Sequence, residues 1–237
     1  MRKHHLWFMV LLGLILCASM MTAACKDSGV ADQEDLALAF NPENYKTLNI
    51  TVDGTPMQLR QYKVTYVAKP IKMASTQPNY GPNGYMGDIT LDDVYGYQTM
   101  YIFVPERSYN NTATAIFLMV GNGGWRTTAA SARITDGAAF ASTGTSDNMG
   151  AALKAGYILV NTGTRSRGAK ADDGSWAGKA PAVVVDAKAA IRYLRLNDSV
   201  MPGSAERIII TGGSGGGGLS VAVAASGNSP DYYPYLN

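Results

Sequence analysis

Ile208-Ile209-Ile210-Thr211-Gly212-Gly213-Ser214-Gly215-Gly216 decides how this chain folds. The apolar run at residues 207–210 (RIII) reads as a buried strand, and the small apolar stretch at 219–225 as a helix packed closely on a sheet. Between them stands G-x-S-x-G, with Ser214 at its centre. A strand, a sharp turn and a helix are the context in which this pattern exposes a nucleophilic serine. Glycines two residues before and after the serine let strand and helix pass without Cβ clashes. The helix N-terminus then aims its amides at the reacting oxygen.

Two rivals use the same glycines. Gly213-Ser214-Gly215-Gly216-Gly217-Gly218 also fits G-x-G-x-x-G, a dinucleotide fingerprint. That would need a second strand ending in an acid about 20 residues on. Residues 227–237 (GNSPDYYPYLN) read as loop, and Asp231 ends no strand. A Walker loop is excluded because Leu219 follows Gly218 where Lys is needed.

Upstream, residues 48–52 and 59–67 alternate with period two around Asp53-Gly54, a hairpin signal. Residues 70–87 are rich in Pro, Gly and Asn and read as a loop, and residues 98–104 (QTMYIFV) alternate again. From there the character changes. Residues 115–120 (AIFLMV) and 157–160 (YILV) are continuous apolar runs, as for strands buried on both faces. Residues 149–155 close a helix, and residues 181–197 form the strongest helix, with Lys188, Arg192 and Arg195 expected on its outer face. Antiparallel leading strands followed by parallel strand–helix units predict an α/β fold.

Gly121-Asn122-Gly123-Gly124-Trp125 follows the AIFLMV strand. Acyl transfer needs two amide donors for the tetrahedral oxyanion. Gly215, the residue after the nucleophile, is one candidate; the other is Gly124 or Gly123, since this loop resembles an HGGGW motif with Gly121 and Asn122 replacing the His and first Gly. Residues 163–168 (GTRSRG) also follow a strand, but their arginines read as structural.

The chain opens with a targeting segment: Arg2 and Lys3, an apolar core at 6–16, then Thr22-Ala23-Ala24-Cys25. These last four resemble a bacterial lipobox, with Thr22 where Leu is usual. The resemblance implies cleavage before Cys25 and acylation of its thiol; an ordinary signal peptide cleaved after Ala24 is the plainer alternative. Cys17 would leave with the signal, so Cys25 has no disulfide partner in the chain. The expected layout is a signal at 1–24, a tether at 25–44 and a hydrolase domain at 45–237, on an exported lipoprotein of the cell envelope held to the membrane by its lipid. With net charge +2, of which Arg2 and Lys3 are the excess, nothing points to nucleic acid. No cofactor or metal motif stands out.

Residues 179–236 are similar to the nucleophile region of bacterial tannases, α/β-hydrolase enzymes, and residues 98–106 and 161–168 resemble that family too. The likeness covers about residues 45–237, the N-terminal half of such an enzyme. It implies hydrolysis of galloyl and related phenolic esters, with the family's serine at Ser214 and a small-molecule ester as partner. A serine peptidase on the same fold and a non-catalytic surface-binding lipoprotein remain alternatives.

A serine nucleophile needs a general base. Histidine occurs only at His4 and His5, and the triad order in this fold is Ser, Asp or Glu, then His. The chain continues for 23 residues past Ser214. The expectation is a truncated product, inactive alone and unstable along the sheet edge that later strands would cover.

Overall fold

The computed structural model describes residues 37–81, 83–146 and 148–233. The expected signal, Cys25 and most of the tether lie outside them. Among the described residues no helix is long and apolar enough to cross a membrane. A compact unit runs from Phe40, whose buried side chain packs on Tyr62 within the stretch read as tether.

The leading strands form as their alternation predicts. β1 (Lys46–Val52) and β2 (Thr55–Thr65) are an antiparallel hairpin with Val52 opposite Thr55. Asp53 and Gly54 take φ 49° and 77°, the left-handed pair that a two-residue hairpin turn requires. The loop expected at 70–87 is instead largely a second hairpin, β3 (Thr76–Gly81) and β4 (Gly84–Thr90), in a two-stranded sheet of its own. Its Pro78 sits at a register shift, where a residue without an amide proton costs no ladder bond.

β5 (Thr99–Pro105), β6 (Ala115–Val120), β7 (Ala139–Phe140), β8 (Ile158–Thr162) and β9 (Ser204–Thr211) join the main sheet in the order β7-β1-β2-β5-β8-β6-β9. β2, β5 and β8 pair antiparallel; β8, β6 and β9 are parallel. The expected change from antiparallel to parallel pairing is therefore present, and the fold is the α/β-hydrolase type.

Both faces of the parallel part are covered. α1 (Met149–Ala155) packs Met149, Ala152 and Leu153 against Phe117, Met119 and Leu159. On the opposite face α2 (Ala182–Leu196) and α3 (Gly215–Ser226) bring Val183, Ala187, Leu219 and Val223 onto Val120. Each fully buried aliphatic or aromatic side chain contributes about 1.5–3 kcal/mol of transfer free energy.

Two further expectations need correction. β9 is not buried on both sides: among the described residues it pairs only with β6, and Ile209 is 42% exposed. Lys188 is not on an outer face of α2: it is buried, and its ammonium donates to Gly227 O at the end of α3 and lies 4.9 Å from the Tyr232 ring. Periodicity marks the apolar stripe of a helix but not how far a neighbouring helix reaches around it. Burial pushes the Lys188 amine below its ordinary pKa.

Candidate active site

Because β6, β8 and β9 run parallel, the loops after Val120, Thr162 and Thr211 emerge at one edge of the sheet. Ligands bind at such carboxyl ends in α/β sheets. Ser214 stands in the third of these loops, directly before α3. Its backbone is at φ 53° and ψ −121°, a conformation L-residues rarely adopt and one that stores about 1–3 kcal/mol of strain. The Ser214 carbonyl accepts from Gly218 N at 3.1 Å, and Gly213 O accepts from Gly216 N at 2.9 Å, so the turn leads straight into the helix. The residue is exposed, and its side chain makes no capping bond.

The glycines around it have individual steric reasons. A Cβ on Gly212 would stand 2.5 Å from Val120 O, and one on Gly216 would stand 2.6 Å from the same oxygen. A Cβ on Gly215 would lie 2.4 Å from Asn122 O, 2.6 Å from Trp125 N and 3.2 Å from Gly124 N. The turn after β9 is thus pressed against the loop after β6. Gly215, first residue of α3, has an amide with no intrahelical partner.

The loop after β6 is shaped by side chains. Asn122 is fully buried; its amide Nδ2 donates to Arg126 O and to Thr164 Oγ1, both at 2.8 Å. Gly124 and Trp125 follow at φ 64° and 56°. Trp125 N donates to Asn122 O at 2.9 Å, and Trp125 O accepts from Ser166 Oγ at 2.7 Å. The indole lies over the first turn of α3, where a Cβ on Gly218 would meet it at 2.8 Å. Of the two glycines expected from sequence, Gly124 has its amide nitrogen 3.2 Å from a Cβ position on Gly215; Cβ positions on Gly123 and Gly124 both face the Arg126 side chain, at 4.0 and 3.7 Å.

The loop after β8 braces both. Thr164 exchanges backbone bonds with Thr128 (2.8 and 3.1 Å). Arg165 Nε and Nη2 meet the Asp186 carboxylate of α2 at 3.0 and 2.6 Å, and Arg165 N donates to it at 2.7 Å. Gln98 Nε2 donates to the same carboxylate at 3.2 Å. Burial pushes the Asp186 carboxyl up from its ordinary value, with the Arg165 guanidinium pulling it back. Tyr66 Oη donates to Gly163 O at 2.8 Å, and burial pushes its pKa well above the ordinary tyrosine value. Arg165 is thus held in a buried ion pair with Asp186, in keeping with the structural reading of its loop's arginines.

Sequence reasoning missed the roles of Asn122, Thr164 and Asp186. A buried-polar pattern beside glycines was the available signal for Asn122; the partner of Arg165 lies 21 residues away on a different element. The histidines, His4 and His5, lie outside the described residues. Among the described residues no group of three His, Cys, Asp or Glu could hold a metal ion.

The BD-FAE family model matches residues 100–233, more than half of the chain. Among solved structures, the Fusobacterium nucleatum tannase is 35% identical with a TM-score of 0.63, covering 84% of this chain and 38% of that one. A Lactobacillus plantarum tannin acyl hydrolase is 28% identical with a TM-score of 0.66 over 84% of this chain and 38% of its own. A tannin acyl hydrolase in complex with ethyl gallate is 28% identical with a TM-score of 0.65, over 84% of this chain and 40% of that one. No curated protein sequence matches. The chain spans about two fifths of the length of these solved relatives. The family match and the position of the glycine-framed serine agree: the chain belongs to the BD-FAE family and is similar in sequence and fold to bacterial tannases.

Proposed function

We propose that this chain carries the nucleophile of a serine carboxylic-ester hydrolase acting on galloyl or other phenolic esters. The observation that carries the reading is the strained backbone of Ser214 at the strand–helix turn, with the Gly215 turn pressed against the Gly124 loop. In this mechanism Ser214 Oγ attacks the ester carbonyl. The amides of Gly215 and Gly124 stabilise the oxyanion, each such donor supplying about 10²–10³ in rate. The alcohol leaves, and water resolves the acyl-enzyme on Ser214. Relatives of known structure hold ethyl gallate and 3,4-dihydroxybenzoate, which supports a phenolic acyl group.

The proton on Ser214 Oγ needs an acceptor, and residues 25–237 contain no histidine. In this proposal the general base is supplied from outside those residues, and the 237-residue chain alone is expected to be inactive. The test is a fusion of this chain to the part of the Fusobacterium nucleatum tannase that it does not cover. The fusion is expected to hydrolyse methyl gallate and to take up a fluorophosphonate probe on Ser214. Ser214→Ala abolishes both, and the unfused chain does neither. Turnover that survives Ser214→Ala would sink the nucleophile assignment; turnover by the unfused chain would sink the missing-base assignment.

Export and lipid anchoring at Cys25 belong to the same proposal and rest on the sequence alone. Metabolic labelling with a clickable palmitate in a bacterial host is expected to mark the wild-type chain and to miss Cys25→Ser.

A further inference from the structure

Trp125 is held in a backbone conformation that its residue type disfavours. Its φ is 56°, in the left-handed region, where a bulky non-glycine residue is an outlier. The surroundings fix it there. Trp125 N donates to Asn122 O at 2.9 Å, and Trp125 O accepts from Ser166 Oγ at 2.7 Å and from Arg167 N at 3.3 Å. A glycine at 125, like Gly124 before it at φ 64°, would carry no such strain. Strain of this kind persists where the neighbouring structure over-determines it, and it clusters at reactive centres. What tryptophan has and glycine lacks is the indole. That ring is 44% exposed, so burial alone does not account for it.

The indole meets α3 at Gly218. A Cβ on Gly218 would stand 2.8 Å from Trp125 Cζ2 and 3.4 Å from Cη2, so not even a methyl group fits between ring and helix. Gly218 is also the residue whose amide donates to Ser214 O, at 3.1 Å. A second contact lies at the start of the same turn, where a Cβ on Gly215 would stand 2.6 Å from Trp125 N. Trp125 therefore touches the first turn of α3 twice, with its backbone at Gly215 and its ring at Gly218. Ser214 is bonded to the second of these residues and precedes the first.

We propose that Trp125 is a positioning residue for the acyl-transfer step. Its indole, braced by the left-handed backbone, fixes the first turn of α3, and with it Ser214, relative to the Gly124 loop. Gly218 is the complementary half of the device, bare so that the ring can close on it. The role is exerted through Gly218 and requires no contact with substrate. It rests on the ester-hydrolase reading for the reaction that is positioned; the contact between Trp125 and Gly218 does not.

The experiment compares Trp125→Ala, Trp125→Phe, Gly218→Ala and the Trp125→Ala/Gly218→Ala pair in the tannase fusion. Methyl gallate turnover is expressed per site titrated to completion with a fluorophosphonate. Trp125→Ala is expected to lower kcat by about 10-fold or more with KM little changed, the pattern of misplaced reacting groups. Trp125→Phe keeps a ring against Gly218 and restores most of the loss. Gly218→Ala displaces the indole and lowers kcat in the wild-type background, but adds nothing once Trp125→Ala has removed the ring. The same four variants of the 237-residue chain are unfolded in urea. There Gly218→Ala lowers the midpoint of the wild-type chain and not that of Trp125→Ala.

An unchanged kcat per titrated site in Trp125→Ala overturns the positioning role, whatever happens to stability. So does a loss carried by KM alone, no recovery in Trp125→Phe, or losses from Gly218→Ala and Trp125→Ala that add in full in either assay. Each of these results leaves the esterase reading intact, because the wild-type fusion turns over. A wild-type fusion without turnover removes the esterase reading and the positioning role together, and the urea cycle then reports a packing contact alone.

Discussion

The loop after β6 and the turn after β9 lie against each other, yet different forces shape them. The first is built from side chains: Asn122 bonded to Thr164, Trp125 O held by Ser166, and the Arg165–Asp186 pair behind. The second has almost none. Gly212, Gly215 and Gly216 shape it by letting backbone approach backbone, and Ser214 is its one functional group. Bringing Ser214 and the Gly124 loop together thus uses two opposite devices. One loop is fixed by polar bonds that must all be satisfied; its partner moulds itself to that loop because nothing projects from it.

The comparison can be broken most severely from the braced side. Arg165→Ala leaves Asp186, 1% exposed, without its cation, at an expected cost of about 3–5 kcal/mol by urea denaturation at neutral pH. The Asp186 pKa is already raised by burial, so in the folded variant its protonated form is favoured. The variant's stability is therefore greatest at acid pH and falls as pH rises through the raised value. A flat pH profile would mean that Asp186 is not the group left unpaired.

Gly215→Ala attacks the contact between the two loops. The new methyl meets Asn122 O and Trp125 N, and the loops must part. In the tannase fusion the expected result is a loss of about 10²–10³ in kcat for methyl gallate, equivalent to one oxyanion donor, with KM little changed. A loss confined to KM would show that the contact serves binding only.

The smallest effect sharpens the contrast. Ser214→Gly removes the Cβ from a left-handed backbone position, so thermal unfolding should show a gain of up to about 1 kcal/mol while reactivity vanishes. A destabilised variant would mean that the backbone at 214 is not strained by its side chain.

These two devices were unequally legible in the sequence. The bare turn was plain because glycines at fixed offsets around a serine have few other uses between a strand and a helix. β6 was visible because its six residues are uniformly apolar. The braces were not, because Asn122–Thr164 and Arg165–Asp186 join residues that only the parallel pairing brings together. The second hairpin was read as loop because Pro78, Gly81, Gly84 and Gly87 outweighed a weak alternation, and it belongs to no hydrophobic layer that would have enforced one. The exposure of Ile209 is a property of β9's position in the sheet, which residues 208–210 do not encode locally.

The pairing of Met119 with Thr211 has a kinetic consequence. It closes a loop of about 90 residues, and contacts so far apart in sequence form slowly because chain entropy is lost before they return anything. The β1–β2 hairpin is local and can zip within microseconds. Ser214 meets the Gly124 loop only once β9 has found β6. The contact between these two loops therefore does not build up by degrees as the chain collapses, but arrives with a long-range pairing of the sheet.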